Sequence, residues 1–566
     1  MSYVIESSAQ LGASDAIAAA HPVRKAVNPL ALILIAATWI ATIGNIPLWL
    51  ALSRIAELQS ARGFCFAMSF AIVIAAATFA LLSFVAWKRS LKAAIAFLFV
   101  LAAISGYFML SYGIVIDRSM MANAMQTDLH EASDLMSWRF VAWVLVTAVL
   151  PAALIWRIPQ RDAGWLKQGV RNLLTLLGGL VVIVAVTLVQ FKDVSSVMRN
   201  HTQVRYLINP MSTLVAFVSE TVRPLRHRAT VVVPIALDVK MSAAAVPAAK
   251  PPLLVLVVGE TARSGNFSLN GYERQTNPEL AVENVVSLTN AWSCGTSTAA
   301  SVPCMFSHLG KTGFGKRDAE YEGLLDVIQR AGMGVLWIDN QAGCKSVCDR
   351  VPTVSTTELK VPALCDSGEC FDEIMLNGLD ESIANLPPER RAKGVVVLMH
   401  QMGSHGPAYY KRAPAAYKQF KPECITNALQ DCPREEVVNA FDNTILYTDH
   451  FLASTIRWLK ARQETNATAM MYVSDHGESL GEKNLYLHGL PYGLAPDVQK
   501  RVPWIVWLSS GFEGRMKVTS PCLRNKRDMV LSHDNYFHSV LGMLQLSTSV
   551  YRPALDLFKV CDGRDA

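Results

Sequence analysis

Five apolar stretches, each close to the ~20 residues that cross a bilayer as a helix, crowd the first third of the chain. They run 29–52, 64–87, 91–115, 138–158 and 171–191. Backbone in hydrocarbon must satisfy its own polar groups, so a chain that begins this way is committed to a helical membrane domain. The cations between the stretches give its orientation. Arg24 and Lys25 precede the first; Lys88, Arg89 and Lys92 separate the second from the third; Arg157, Arg161, Lys167 and Arg171 sit between the fourth and the fifth. The alternate loops are poorer: 53–63 holds Arg54 and Arg62, and 116–137 sets Arg118 against Asp117, Asp128, Glu131 and Asp134. Positive charge stays inside, so the N-terminal tail (1–28) is cytoplasmic and everything after the fifth stretch lies outside. The tail has no cleavable-signal pattern, so the first span is expected to remain.

The remaining two thirds have a different texture. Charged residues make up 17% of the 566, against roughly 25% in a soluble domain, and mean hydropathy is +0.26. These figures exclude a uniformly soluble, disordered or fibrous chain and fit a membrane protein with a sizeable soluble part. The net charge of +6 is too mild for a nucleic-acid binder. Ten of the eleven cysteines fall after residue 290: Cys294, Cys304, Cys344, Cys348, Cys365, Cys370, Cys424, Cys432, Cys522 and Cys561. The first eight form close sequential couples, and no CxxC…CxxC tetrad suited to structural zinc occurs. Five disulfides are therefore expected, and with them an oxidising compartment. That agrees with the orientation read from the loop cations.

Residues 192–250 read as a connector whose first part mixes apolar and basic residues, as helices lying along a membrane surface do. Its end, SAAAVPAAKPP, is a boundary rich in Ala and Pro. From 251 to 566 short apolar runs recur at strand length: LLVLVV at 253–258, MGVLWID at 333–339, GVVVLM at 394–399 and AMMYVS at 469–474. Helical stretches such as 322–331 and 435–460 separate them. Continuous apolar runs are strands covered on both faces, which predicts an α/β domain with a mainly parallel sheet between helices.

Ligands of such sheets bind beyond the carboxyl ends of the strands. There the sequence places Glu260 after the first run, His400 through His405 after the third, and Asp475-His476 after the fourth, with His488 a short loop later. One carboxylate at a strand end is usually a helix-entry residue, and one Asp-His pair is usually structural. Three such coincidences at one sheet edge make an O/N ligand set suited to zinc or another divalent cation. The segment SCGTSTAASVPC (293–304) adds hydroxyls after a glycine, as at a helix start that favours an anion. It supplies a nucleophile candidate, and a Cys294–Cys304 bond would hold the turn.

At these residues the chain resembles the phosphoethanolamine transferases that modify lipid A, which belong to the alkaline-phosphatase/sulfatase-like superfamily. The resemblance rests on VVGETARSGNFSLNGYERQTNP (257–278), CGTSTAASVPCMF (294–306), HQMGSHGPAYYKR (400–412) and YVSDHGESLGE (472–482). It implies that Thr298 accepts the phosphoethanolamine group and that Glu260, Thr298, Asp475 and His476 hold a tightly bound Zn2+. His405 and His488 would contact substrate phosphate or a second zinc, one or the other assisting proton transfer, and Lys345 would bind phosphate beside Ala342, where some relatives carry serine. In NAMQTDLHE, Asn123, Thr127 and Glu131 resemble a donor-headgroup motif. Steps of four would place them on one helical face, where a carboxylate can meet an ethanolamine ammonium.

The implied reaction is a double displacement. Phosphatidylethanolamine gives its headgroup to Thr298, and a lipid A phosphate then takes it, lowering surface negative charge and polymyxin binding. The implied setting is the inner membrane of a Gram-negative bacterium, with the catalytic domain in the periplasm, membrane lipids as partners and a monomeric enzyme. Transfer to lipopolysaccharide core sugar or periplasmic glucan, or hydrolysis by a tethered phosphatase or sulfatase, would use the same residues. The sulfatase CxPxR nucleophile pattern is absent.

Overall fold

The computed structural model describes residues 26–127, 129–226, 232–241, 250–356, 359, 361–366 and 369–561. The tail reading for residues 1–25 lies outside them. Five helices are long and apolar enough to cross a membrane: Pro29–Ser53, Ala61–Phe84, Leu91–Tyr112, Trp138–Trp156 and Trp165–Val189. The second ends at Phe84, short of residue 87, because VAWKRS turns there. The fifth begins six residues before 171, since Lys167 and Arg171 are carried inside the helix rather than ahead of it. Its Leu173, Leu174, Val181 and Leu188 are exposed, the face expected toward lipid.

The third span leads into a loop with two short helices, α1 (Arg118–Gln126) and α2 (Leu129–Asp134). After the fifth span come α3 (Phe191–Asn200) and α4 (Met211–Arg226). This connector is pinned back onto the spans by buried amides. Asn45 Nδ2 donates to the Asn209 carbonyl (2.6 Å) and Asn209 N to Asn45 Oδ1 (2.8 Å), while Asn209 Nδ2 donates to the Ala102 carbonyl (2.8 Å). Buried polar groups held in this way cost little only while every partner stays in place.

The catalytic domain is built on an eight-stranded sheet. Its strands are β1 (Pro252–Gly259), β2 (Val286–Trp292), β3 (Gly334–Asp339), β4 (Thr353–Ser355), β5 (Val395–His400), β6 (Ala467–Ser474), β7 (Arg501–Leu508) and β8 (Leu531–Ser532). Their order is β8-β2-β7-β6-β1-β5-β3-β4. The block β6-β1-β5-β3-β4 is parallel, and only β7 runs against its neighbours β2 and β6. Residues along each strand alternate between two cores. Leu254, Leu256 and Val258 of β1 face one, with Trp337 and Trp504. Leu253, Val255 and Val257 face the other, which the long helix α6 (Arg434–Lys460) covers with Phe441, Ile445, Leu452 and Ile456. Tyr107, Tyr112 and Ile114, at the end of the third span, join that second core.

Five disulfides join Cys294–Cys304, Cys344–Cys348, Cys365–Cys370, Cys424–Cys432 and Cys522–Cys561. Cys65, on the second span, is the one free thiol among the described residues. The helical face expected for Asn123, Thr127 and Glu131 does not form. Helix α1 stops at Gln126, and Thr127 is extended (φ −69°, ψ 132°). A β-branched threonine followed by an aspartate is a weak continuation for a helix. Glu131 belongs to α2, and its side chain lies outside the described residues.

Candidate active site

Strand register assembles the site. Because β6, β1 and β5 are parallel neighbours with Gly259 opposite Ser474 and Val258 opposite His400, the residues that follow them emerge at one edge. Asp475 N donates to the Gly259 carbonyl (2.9 Å), and Gln401 N donates to that of Val258 (3.1 Å). The turn after β5 then folds over Glu260. At Gly403 (φ +54°) an added Cβ would lie 2.8 Å from the Glu260 carbonyl oxygen, so that position requires glycine. Buried Asp372 fastens the same turn, accepting the amides of Met402 (2.8 Å) and Gly403 (3.0 Å).

Glu260, Asp475 and His476 bring their ligand atoms within 4.8 Å of one another, all buried. Thr298 is the first residue of helix α5 (Thr298–Met305), with Ser297 as N-cap. Its Oγ1 stands 3.3 and 3.2 Å from the two Glu260 oxygens and 3.4 Å from His476 Nε2. His476 Nδ1 donates to the Gly477 carbonyl (2.9 Å), which turns Nε2 into the cluster. The four residues thus face one point.

The electrostatics call for a cation at that point. Burial would lower the His476 pKa, but the Asp475 and Glu260 carboxylates overcome it and hold the imidazole up to about 10. Burial raises the Asp475 carboxyl, and the Glu260 charge adds to the effect. Asp475 Oδ2 is buried and accepts no hydrogen bond among the described residues. Two enclosed carboxylates that hold an imidazole protonated, one of them with an unpartnered oxygen, form a site that a divalent ion fits.

The histidines flank this cluster. The His488 ring lies 4.2 Å from that of His476 and 6.0 Å from that of His405, centroid to centroid. His488 Nδ1 faces Glu478 at 3.4–3.5 Å, and Glu478 also accepts the Tyr409 hydroxyl (3.0 Å). Lys345 lies apart, its Nζ donating to the Ala342 carbonyl (2.9 Å). It lines a groove of about 1400 Å³ that runs along the Ala299 and Ala300 side of α5 and under α1 and α4. Asn123 and Thr127 belong to the loop above, where Thr127 Oγ1 donates to the Asn123 carbonyl (3.0 Å).

Sequence reasoning missed several supporting residues. Gln341 reaches Glu260 Oε2 (3.2 Å), Thr261 Oγ1 donates to Glu260 Oε1 (2.5 Å), and Asp339 pairs with His400 (2.9 Å). Each ends or closely follows a strand, and that placement was the one signal available for them.

A sulfatase-like catalytic domain carried on a five-span membrane domain is the class that this fold and cluster define. Comparison with known proteins agrees: residues 252–546 match the Sulfatase family, and residues 74–224 match the family described as phosphoethanolamine transferase EptA/EptB. The chain is 39% identical over 547 residues to phosphoethanolamine transferase EptA of Salmonella typhimurium, covering 95% of this chain and 98% of the relative. It is 34% identical to phosphatidylethanolamine transferase Mcr-1 of Escherichia coli, covering 93% and 96%. Among solved structures, the integral membrane lipooligosaccharide phosphoethanolamine transferase A from Neisseria meningitidis superposes with a TM-score of 0.87 at 33% identity, over 94% of this chain and 98% of that one. The chain belongs to the phosphoethanolamine transferase family of the alkaline-phosphatase/sulfatase superfamily. It is a multi-pass inner-membrane protein with its catalytic domain in the periplasm.

Proposed function

We propose that the enzyme moves phosphoethanolamine from phosphatidylethanolamine to a phosphate of lipid A through an ester on Thr298. The observation that carries this reading is the position of Thr298 Oγ1, at a helix start and within 3.2–3.4 Å of Glu260 and His476. In the first half, Oγ1 bonds to phosphorus, the bond to the glycerol oxygen breaks and diacylglycerol leaves. The proton lost from Thr298 Oγ1 is balanced by the one that the departing glycerol oxygen gains. His488, whose Nδ1 is turned to Glu478, presents Nε2 to protonate the departing oxygen. In the second half a lipid A phosphate oxygen attacks the same phosphorus, the bond to Thr298 Oγ1 breaks, and the proton given up by the incoming phosphate restores the threonine hydroxyl.

Glu260, Thr298, Asp475 and His476 would hold one Zn2+; a second ion on His405 and His488 would replace the proton-transfer role of His488 rather than accompany it. Bound there, zinc supplies positive charge against the phosphoryl oxygens and lowers the pKa of the threonine hydroxyl. Lys345 would meet phosphate from the groove, and Asn123, Thr127 and Glu131 would receive the donor headgroup from the loop above. Each transfer to lipid A adds an ammonium and lowers net negative charge at the cell surface, which weakens polymyxin binding.

The test is the mass of the intact enzyme after exposure to phosphatidylethanolamine without acceptor. One phosphoethanolamine adduct is expected on the wild type and none on Thr298→Ala. An adduct on both would remove Thr298 as the nucleophile.

A further inference from the structure

The loop between the third and fourth spans packs on the catalytic domain along its length, with Gly113 against Leu485 and Val115 beside Leu490, and two of its contacts lie beside site histidines. At the first, Met120 of α1 fills the space in front of Gly489, the residue after His488. A Cβ on Gly489 would lie 2.2 Å from Met120 Cε. At the second, Asp134 closes α2 and is 5% exposed. Its carboxylate accepts from Lys411 Nζ (2.6 Å) and Arg412 Nη2 (3.2 Å), and its carbonyl accepts from Asn427 Nδ2 (2.6 Å).

Arg412 is the centre of this junction. Its side chain is 2% exposed and serves three segments: Nη2 binds Asp134, Nη1 donates to Glu369 Oε2 (2.6 Å), and Nε donates to the His405 carbonyl (3.0 Å). A rigid guanidinium fork carries its orientation from one partner to the next in a way a lysine cannot. The surrounding frame is stiff. Glu369 belongs to the hairpin closed by Cys365–Cys370. Asn427 and Asp431 belong to the loop closed by Cys424–Cys432. Arg139 of the fourth span pairs with Asp431, and Tyr112 of the third donates to the Asn427 carbonyl (3.3 Å). A salt bridge anywhere on this interface would hold the two domains together. Among the described residues, only the Asp134–Arg412 pair is one hydrogen bond from the main chain of a site histidine.

We propose that Asp134 is a positioning residue that, through Arg412, seats the membrane domain's loop against the His405 segment. A membrane-borne phospholipid headgroup then meets Thr298 in register. This rests on the lipid-donor reading above and adds to it the element that aligns donor loop and catalytic loop. Asp134→Asn keeps the shape but withdraws the carboxylate from two cations. Arg412 retains Glu369 and the His405 carbonyl, so the catalytic loop keeps its anchor while the membrane loop loses its seat. A donor held by the membrane domain should suffer more than a small soluble one.

The experiment uses the full-length enzyme in detergent micelles with two donors, fluorescently labelled phosphatidylethanolamine and the p-nitrophenyl ester of phosphoethanolamine. Asp134→Asn is expected to lower kcat/KM for the lipid by about tenfold or more, the scale of a small misplacement, and for the soluble ester several-fold less. Asp134→Glu should recover most of the lipid activity. Arg412→Lys, which forfeits the bond to His405, should depress both donors. Asp431→Asn breaks a more exposed pair of the same interface and should leave the lipid-to-ester ratio within about threefold of wild type. Equal losses on both donors for Asp134→Asn, or a ratio shift as large for Asp431→Asn, would overturn the proposal. If Asp134→Asn does not fold, the Arg412→Lys and Asp431→Asn ratios decide it. Wild-type enzyme that turns over the ester and not the lipid would instead overturn the donor reading.

Discussion

His533 ties the segment around Thr298 to the sheet edge that carries Asp475 and His476, and its hydrogen bonds permit one protonation state. It is 1% exposed and precedes helix α7 (Asp534–Met543). Its Nε2 donates to the Ser474 carbonyl (3.0 Å), while Nδ1 accepts the Cys294 amide (3.1 Å) and lies 3.2 Å from Ser301 Oγ. A proton on Nδ1 would face the Cys294 N–H. Burial, with smaller pushes from His476 and Lys311 and against the pull of the Ser474 carbonyl, takes its pKa down to about 3. The folded pKa lies below the unfolded value of about 6.5, so the folded state binds fewer protons. The contribution to stability is complete above that value and is lost as pH falls from 6.5 toward 3. Between pH 7 and pH 5 the loss comes to about 1.9 kcal/mol, or about 4 °C in Tm at about 2 °C per kcal/mol for a domain of this size. His533→Asn keeps an acceptor near the Nδ1 position and cannot titrate. Thermal scans of the full-length protein in detergent at the two pH values, followed by tryptophan fluorescence, should show wild type losing about 4 °C more than the variant. Equal shifts in the two proteins, within about 1 °C, would refute the assignment.

Two further expectations can be checked directly. With ten cysteines paired, thiol labelling of the denatured, unreduced protein should modify Cys65 alone; a second labelled cysteine would contradict the pairing. Gly403→Ala forces a Cβ against the Glu260 carbonyl in a left-handed conformation, at a cost of about 1–3 kcal/mol. It should reduce both Tm and the zinc content measured by elemental analysis, and a variant with normal zinc would show that the turn tolerates the contact.

The membrane spans were legible because bilayer thickness sets a length that a run of apolar residues either meets or does not. The strands β1, β5 and β6 were legible for a related reason: buried on both faces, they need apolar residues at every position. Strand β2 carries Thr289 and Asn290 half-exposed, and β7 carries Pro503 at a break in register with β2, so neither offered so plain a run. Glu260, Asp475 and His476, which cluster in the fold, could be read because each follows a strand, and Thr298 through the family resemblance. Their supports could not. Asp134 and Arg412 are 278 residues apart in sequence, and His533 and Ser474 are 59 apart; no local pattern marks partners that only the tertiary fold brings together. The step-of-four reading of Asn123, Thr127 and Glu131 failed for the opposite reason. Spacing shows which residues would share a face if the helix continued, and at Thr127 it does not.

The central claim is that Thr298 carries phosphoethanolamine to lipid A, and lipid A itself reports on it most directly. Mass spectra of lipid A from a susceptible Gram-negative host expressing either wild type or Thr298→Ala, with both proteins present in the membrane, should show a phosphoethanolamine increment with the wild type alone. No increment with the wild type, or the same increment with the variant, would contradict the account.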